Sequence, residues 1–229
     1  MPVLAIVPAR AGSKRIPDKN LRPVGGVPLV VHAFRTARAA KTVDRVVCSS
    51  DDPRVLALAA AESVTPIERP AELAGDASPA IDYVRHCLGV LDESGFSADV
   101  VVILQPTSPF TTSADVDATV DLLHSSGAES AVSVVKLDHA IHPVKLKRMV
   151  GDHLLPYLED ERGRMATHEL PELYVRNCSV YVTRRSVIER GQLLSDDCRG
   201  YVMPRERSID INDPIDLELA DWLWSRRRS

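Results

Sequence analysis

The sequence DVVVILQPTSP at residues 99–109 joins a central β-strand to the loop that ends it. The apolar run Val100–Leu104 is typical of a strand that is buried on both faces of a sheet. Two prolines follow within residues 105–109, and they interrupt a strand because proline has no backbone N–H to donate. We therefore expect a central strand at 99–104 that ends in a polar loop containing Gln105.

Strands and helices alternate on both sides of this central strand. Apolar runs at Leu4–Val7 and Arg45–Cys48 predict two earlier strands, each followed by apolar residues at helical spacing. The alternation continues to about residue 135 and favours an α/β fold: a three-layer, doubly wound, mostly parallel sheet with helices on both faces. The other predicted elements are helices beginning near Pro28, Pro53, Ser78, Thr112 and Pro214, strands at 130–135, 177–182 and 201–203, and a short helix at Ile188.

The segment from residue 137 to residue 171 interrupts this alternation. It is polar, it contains the turn signals Gly151 and Gly163, and it holds four of the seven histidines of the chain. We interpret it as an inserted arm at about 137–172, within a single domain that spans residues 1–229.

The composition argues against several classes of protein. A formal net charge of −4 over 229 residues provides no basic field for holding nucleic acid. No apolar run reaches the roughly 18 residues of a membrane span, and the apolar stretch Met1–Val7 is too short for a secretory signal. The four cysteines lack C-x-x-C spacing, so we expect reduced thiols in a cytoplasmic protein.

The loop predicted after the first strand, PARAGSKRIPDKN at residues 8–20, concentrates positive charge. Gly12 and Ser13 allow a tight backbone turn that aims N–H groups at an anion. The loop matches neither the Walker A pattern nor the G-x-G-x-x-G dinucleotide pattern. Its cations repel one another unless an anion is bound, and we expect that anion to be a triphosphate. The cations are Arg10, Lys14, Arg15 and Lys19.

A second polar segment, ERSIDINDP at residues 206–214, precedes the last predicted helix. In an extended stretch Asp210 and Asn212 point to the same side, because side chains alternate along a strand. Two neighbouring oxygen ligands suit Mg²⁺, which takes a few protein oxygens together with water and substrate phosphates. Asp213 is instead expected to be the N-cap of the helix that begins at Pro214.

Three polar loops are expected to meet at one edge of the sheet. They are residues 10–19 after the first strand, Ser50–Asp51 after the second, and Gln105–Ser108 after the central strand. Ligands of open parallel sheets bind at the carboxyl ends of the strands. The sequence therefore predicts a single crevice at this edge, with the cationic loop at its phosphate end.

Five motifs occur in a fixed order along the chain: Ile6–Leu21, Ser49–Asp51, Arg69–Ser78, Leu104–Pro109 and Glu206–Asp216. Together they resemble the acylneuraminate cytidylyltransferase family, which makes CMP-activated sialic acids and related keto sugars. The resemblance covers nearly the whole chain and implies a nucleotide-diphospho-sugar transferase-like fold with a dimerisation arm. The activity that it implies is transfer of CMP from CTP to a small acidic acceptor, with Mg²⁺ as cofactor and release of pyrophosphate.

The resemblance also implies roles for individual residues and a homodimer as the assembly. Catalysis is implied for Arg10, Lys19 and Asp210, and the metal would be held by Asp210 and Asn212. Nucleotide binding is implied for Ala9, Arg10, Ala11, Gly12, Ser13, Lys14, Lys19, Asn20, Arg69 and Ser78. Acceptor binding is implied for Gln105, Thr107, Ser108, Lys145, His168 and Asn177.

The chain departs from the pattern of that family in three places. Asn212 stands where the family usually has a second aspartate, which removes one charge from the predicted metal site. Ala166–His168 replaces an Arg-Arg-Gln run, and Cys178 replaces a glycine, both in the half that would bind the acceptor. The acceptor is therefore left open between a nonulosonic or 2-keto-3-deoxy sugar acid and a small phosphonate. The remaining alternatives are a non-catalytic CTP-binding module and a nucleotidyltransferase that uses another base or a sugar phosphate.

Overall fold

The computed structural model describes residues 1–158 and 170–227. Their helices are α1 (Leu29–Ala39), α2 (Pro53–Ala61), α3 (Ala80–Glu93), α4 (Ser113–Ser126), α5 (Arg185–Glu189) and α6 (Pro214–Arg226). Their strands are β1 (Val3–Pro8), β2 (Pro23–Val24), β3 (Val27–Pro28), β4 (Arg45–Ser50), β5 (Thr65–Glu68), β6 (Val100–Leu104), β7 (Ser130–Lys136), β8 (Lys147–Val150), β9 (His153–Pro156), β10 (Tyr174–Arg184) and β11 (Cys198–Val202).

Seven of the described strands form the main sheet, in the order β11–β7–β10–β6–β1–β4–β5. β1 is parallel to both β4 and β6, and β4 is parallel to β5. β10 lies antiparallel between β6 and β7, while β11 is parallel to β7. Because β6 and β7 are both antiparallel to β10, their carboxyl ends lie at the same edge as those of β1 and β4. The predicted mostly parallel sheet is confirmed.

Hydrophobic clusters cover both faces of the sheet. On one face, Ala5 and Val102 pack against apolar residues of α1, α2 and α4, including Phe34. On the other face, Ile103 packs against α3 and α5, with Tyr83 in the same cluster. Neighbouring residues serve opposite faces because successive side chains of a strand point in opposite directions. The three-layer, doubly wound architecture expected from the sequence is therefore confirmed.

The helix starts follow the expected capping chemistry. The predicted capping box at Thr112 and Asp115 begins α4, and a second box at Asp213 and Asp216 begins α6. The inward residues predicted for α6 bring this helix against the loops that follow β1 and β6. The cluster that joins them contains Ile16, Phe110, Ile211, Leu217, Ala220, Leu223 and Trp224.

Several strands were not predicted, and each lies in a partly exposed place. β5 is an edge strand with a proline at its second position, and only Ile67 of its four residues is buried. Within the inserted segment, β8 and β9 form a two-stranded hairpin whose residues are all exposed. A hydrophobic pattern reports burial, so strands without a buried face are not detected by it.

All four cysteines are free thiols, and two of them are in the core. Burial raises the pKa of Cys48 to about 12 and that of Cys87 to about 11, so both are protonated at neutral pH. Cys178 and Cys198 are half-buried. No helix among residues 1–158 and 170–227 is long and apolar enough to cross a membrane.

Candidate active site

The cationic loop after β1 is held in shape by the neighbouring strand ends. Asp51 accepts a hydrogen bond from the backbone N–H of Ala11 at 2.7 Å, and Ser50 donates to the carbonyl of Ala9 at 2.6 Å. Gly12 has φ of 72°, a left-handed conformation that favours glycine. The amide of Asn20 donates to the carbonyl of Arg10 at 3.0 Å, so its nitrogen supports the loop.

A cavity of about 460 Å³ lies at the carboxyl ends of β1 and β6. Its wall carries all four cations of the loop, together with polar groups from the loop after β6 and from the segment before α6. This composition suits a polyanion, because Arg and Lys side chains are the usual protein partners of phosphate oxygens. The lining residues are Pro8, Arg10, Ser13, Lys14, Arg15, Lys19, Asn20, Asp76, Gln105, Pro106, Thr107 and Asn212.

Lys19 joins the cationic loop to the acidic segment. Its Nζ donates to the carbonyl of Ile211 at 3.0 Å, across 192 positions of sequence. The backbone N–H of Ile211 donates in turn to the carbonyl of Thr107 at 2.9 Å. Burial lowers the pKa of Lys19, and the negative charge of Asp210 opposes that effect. The loops after β1 and β6 and the segment before α6 therefore meet at one place.

Asp76 neutralises part of the positive charge. Its two carboxylate oxygens contact Arg10 and Lys14, each at 2.5 Å, and these hydrogen bonds lower the pKa of Asp76. Arg10 also donates to the carbonyl of Ala74 at 3.4 Å. In this structure Arg10 is therefore turned toward residues 74–76. The carboxylate of Asp76 binds both Arg10 and Lys14, so these two cations are not free to bind another anion.

A second cavity of about 230 Å³ adjoins the first, and both are lined by Pro8, Arg10, Asp76 and Gln105. Its floor contains Arg69, which is only 5% exposed and lies 4.4 Å above the ring of Tyr83. Ser49 accepts two hydrogen bonds from this guanidinium, through its side chain at 3.0 Å and its carbonyl at 2.9 Å. Ser78, at the rim, donates to the carbonyl of Glu72 at 2.8 Å.

Comparison with known protein families identifies the family to which the chain belongs. The profile of the cytidylyltransferase family matches residues 4–197, which include both cavities apart from Asn212. The chain belongs to the cytidylyltransferase family. The expectation of a CTP-dependent nucleotidyltransferase, drawn from the sequence motifs, is thereby confirmed.

Curated relatives of this cytidylyltransferase differ in length. The CMP-N,N'-diacetyllegionaminic acid synthase of Legionella pneumophila is 30% identical, over 97% of this chain and 96% of the relative. The N-acylneuraminate cytidylyltransferase of Escherichia coli is 26% identical over 95% of this chain, but only 51% of that protein is covered. The chain thus spans nearly all of the first relative and about half of the second.

Solved structures with the same fold are more distant in sequence. The structure of CMP:2-keto-3-deoxy-manno-octonic acid synthetase complexed with CTP has a TM-score of 0.74 at 19% identity, covering 99% of this chain and 100% of that one. The structure of 4-diphosphocytidyl-2C-methyl-D-erythritol synthase has a TM-score of 0.67 at 15% identity, covering 97% and 99%. At these identities the likeness supports the fold of the cytidylyltransferase domain.

The acidic segment of the cytidylyltransferase lies against the first cavity. Asn212 lines the cavity, and its Nδ2 donates to Oδ2 of Asp210 at 2.8 Å. Asp213 is the N-cap of α6, as predicted, and accepts from the backbone N–H of Asp216 at 3.0 Å. Within residues 1–158 and 170–227, no three His, Cys, Asp or Glu side chains are grouped to hold a metal ion.

A buried ion pair between Asp115 and Arg207 anchors this acidic segment, and no motif in the sequence indicated it. Asp115, only 1% exposed, accepts two hydrogen bonds from Arg207, at 2.8 Å and 3.0 Å, and one from the hydroxyl of Tyr201. Burial alone would raise the pKa of Asp115, but hydrogen bonds from Arg207 and Thr112 hold it below its usual value. The partners are 92 positions apart, so spacing could not reveal them.

The residues expected to bind the acceptor are not all together. Gln105 and Thr107 line the first cavity. Ser108 and Asn177 are instead buried, and their side chains bond to other protein groups: Ser108 to the carbonyl of Cys178, and Asn177 to Ser133 and Ser208. A direct role for these two side chains in binding the acceptor stays a prediction. Lys145 lies in the arm, 2.9 Å from Nδ1 of His139, and His168 falls outside the described residues.

Proposed function

We propose that this protein transfers CMP from CTP to a nonulosonic sugar acid and releases pyrophosphate. The observation that carries the proposal is the pair of adjoining cavities at the carboxyl edge of the sheet. One is lined by four cations and the other by a buried Arg69, so together they suit a triphosphate and the nucleoside attached to it. Family membership favours cytidine as that nucleoside.

The triphosphate would lie in the first cavity. Arg10, Ser13, Lys14 and Lys19 would bind its oxygens, with backbone N–H groups of the loop at Gly12. Binding would require Arg10 and Lys14 to exchange Asp76 for phosphate oxygens. The pentose and base would occupy the second cavity, beside Arg69 and Ser78.

The reaction is an in-line displacement at phosphorus. The acceptor hydroxyl oxygen bonds to the α-phosphorus, the bond from that phosphorus to the β-phosphate oxygen breaks, and the hydroxyl proton is released to solvent. Arg10 and Lys19 would stabilise the departing pyrophosphate by charge and by hydrogen bonds. Such chemistry depends mainly on positioning and charge neutralisation, which these fixed cations supply.

The donor set beside the cavity fits Mg²⁺ bound together with the nucleotide. Asp210 offers a carboxylate, and Mg²⁺ sites of this kind use one or two carboxylates plus substrate phosphates. When bound, Mg²⁺ would neutralise charge that develops on the phosphate oxygens. Asp210 would hold it against the triphosphate, while Lys19 keeps the segment that carries Asp210 next to the cationic loop.

The class of acceptor rests on the relatives and on the cavity. The Legionella pneumophila relative that is 30% identical over nearly the full length is named for a CMP-nonulosonic acid. Gln105 and Thr107 offer an amide and a hydroxyl beside the phosphate region, where such an acceptor would have to lie. We propose that these two residues contact the acceptor.

The arm supports a homodimer. Its hairpin and the residues that follow expose large apolar side chains, including Met149, Leu154 and Tyr157, each more than 60% exposed. Such a patch marks a protein interface more often than a free surface. We propose that a second copy of the chain covers it and brings Lys145 and the rest of the arm near an acceptor. We also propose a cytoplasmic location, because all four thiols are free.

The proposal is tested by measuring pyrophosphate release with CTP and Mg²⁺. The acceptor panel contains legionaminic, pseudaminic and N-acylneuraminic acids, 2-keto-3-deoxy-octonic acid and a small phosphonate. We expect turnover with a nonulosonic acid and with CTP in preference to the other three nucleoside triphosphates. Turnover with the phosphonate alone would reassign the acceptor, and binding of CTP without release from any acceptor would show a non-catalytic module.

A further inference from the structure

The side-chain amide nitrogen of Asn212 points toward the carboxylate of Asp210. The 2.8 Å contact joins Nδ2 of Asn212 to Oδ2 of Asp210. The opposite orientation would place an amide oxygen against a carboxylate oxygen with no hydrogen between them, which is repulsive when Asp210 is ionised. An amide N–H group cannot bind a cation, so the part of Asn212 nearest to Asp210 acts as a hydrogen-bond donor.

The backbone around Asn212 is fixed on both sides. Its own N–H donates at 2.8 Å to Oδ2 of Asp216, the oxygen that also accepts from the N–H of Asp213 in the capping box of α6. The preceding residue, Ile211, is buried and is bound through its carbonyl to Lys19 and through its N–H to Thr107. The side chain of Asn212 therefore starts from a constrained Cα, and its amide is directed at Asp210 by the fold.

We propose that Asn212 is a positioning residue for Asp210 and not a ligand of the metal. Its donated hydrogen bond occupies Oδ2 of Asp210 and holds the carboxylate in one rotamer, leaving Oδ1 for the cation. Asp210 is then the one carboxylate that this pair offers to a cation, so Mg²⁺ enters with the triphosphate and does not bind beforehand. This inference rests on the proposed function, because it assumes that Asp210 faces a nucleotide-bound cation.

Two substitutions separate a positioning role from a ligand role. Asn212→Asp removes the donor and places a second carboxylate beside Asp210, so the pair should attract a divalent cation even without nucleotide. Asn212→Ala removes the donor and any ligand oxygen together. The matched control is Gln192→Glu, the same amide-to-carboxylate change at an exposed position after α5.

The probe is Mn²⁺, whose binding is followed by electron paramagnetic resonance with and without CTP. Wild type and Gln192→Glu should bind Mn²⁺ measurably only with CTP present, whereas Asn212→Asp should bind it alone at least about tenfold more tightly than wild type. Thermal unfolding gives a second readout: Mn²⁺ without CTP should raise the Tm of Asn212→Asp and leave that of wild type unchanged.

The Asn212→Ala variant decides the assignment. A positioning role predicts that its affinity for Mn²⁺ with CTP stays within about threefold of wild type, while kcat falls by roughly tenfold because the carboxylate is no longer oriented. If this variant loses Mn²⁺ binding as completely as Asp210→Ala does, Asn212 is a ligand and the inference is wrong. Failure of the proposed function is distinguishable, because it would appear in wild type as no CTP binding or no pyrophosphate release.

Discussion

The crevice and the arm differ in how many long-range contacts within the single chain stabilise them. Long-range polar contacts close the crevice: Lys19 reaches Ile211, Asp76 holds Arg10, and Arg207 is bound to Asp115. In the arm, β8 and β9 pair only with each other among the described strands, and their residues are all exposed. A hairpin of two strands is marginal on its own in water. The comparison indicates that contacts within the single chain shape the crevice, whereas the described strands of the arm leave their side chains exposed, as the proposed dimer would require.

The largest effect on activity should come from substituting the charged residues at the centre of the crevice. Lys19→Ala and Asp210→Ala should each lower the rate of CTP-dependent pyrophosphate release by about 10²–10³, the usual cost of removing one donor that stabilises developing charge. Steady-state kinetics would measure the loss, and circular dichroism would check the fold. Lys41→Ala, an exposed lysine beyond the end of α1, is the matched control and should keep wild-type turnover.

Turnover near the wild-type rate in either crevice variant would refute the role given to that residue. An equal loss in Lys41→Ala would show that general charge, and not the contact of Lys19 with Ile211, determines the rate.

The next largest effect should come from the arm. Leu154→Asp places a charge on a side chain that is 62% exposed in the single chain and that the proposed partner would bury. Burying such a side chain contributes about 1.5–3 kcal/mol, so the variant should shift the assembly from dimer to monomer at micromolar concentration. Sedimentation velocity would measure the change.

The control for the arm is Val90→Asp, which adds the same charge on the exposed side of α3. It should leave the assembly unchanged. A wild-type protein that is monomeric throughout this concentration range would contradict the proposed dimer.

A third test addresses the anchor of the acidic segment. Arg207→Ala leaves the buried carboxylate of Asp115 without its bidentate partner and should lower the free energy of unfolding by about 1–3 kcal/mol. Urea denaturation at pH 7 would measure it. A loss below a few tenths of a kcal/mol would show that Thr112 and Tyr201 satisfy this carboxylate without the arginine.

The ion pair between Asp115 and Arg207 should also make the stability of the fold depend on pH. The folded-state pKa of Asp115 lies below its usual value of 3.8, so the ionised group stabilises the fold above that pH. This contribution is lost as pH falls from about 4 through the lower, folded pKa. Arg207→Ala should bring that pKa closer to its usual value, so stability should fall less steeply below pH 4 in the variant than in wild type.

The smallest effect should come from Asp76, whose contacts are with exposed cations. Asp76→Asn keeps the shape of the side chain and releases Arg10 and Lys14 for phosphate, so CTP should bind a few-fold more tightly. Isothermal titration calorimetry at low salt would measure it, with Asp121→Asn, an exposed aspartate of α4, as control. Weaker binding would show that the carboxylate supports the nucleotide-bound loop.

The sequence predicted the fold where its signals are local. Buried strands such as Val100–Leu104 appear as apolar runs, and the box at Thr112 and Asp115 follows from residue type at a spacing of three. The cationic loop was also predictable, because four charges within ten residues need no tertiary information. Burial and spacing therefore account for the order of elements and for the cationic end of the crevice.

Other features depend on geometry that the sequence does not encode locally. The resemblance implied that Asn177 binds the acceptor, and this residue is buried at a place where the pairing of β10 with β7 is irregular, between Arg176 and Tyr181, with φ of 56° at Cys178. An irregularity of this kind changes which side chains face inward, so alternation counted along the strand is no longer reliable there. The bond between Arg207 and Asp115 likewise depends on the docking of two distant segments.

The contact between Lys19 and Ile211 has a consequence for the growing chain. The cationic loop is synthesised 192 residues before Ile211, so the cavity that both segments line is complete only after the segment before α6 has docked. Under the proposed function, a bound triphosphate would then hold these two distant segments together. Ligand should therefore slow proteolysis of α6 itself, in proportion to the occupancy of the crevice.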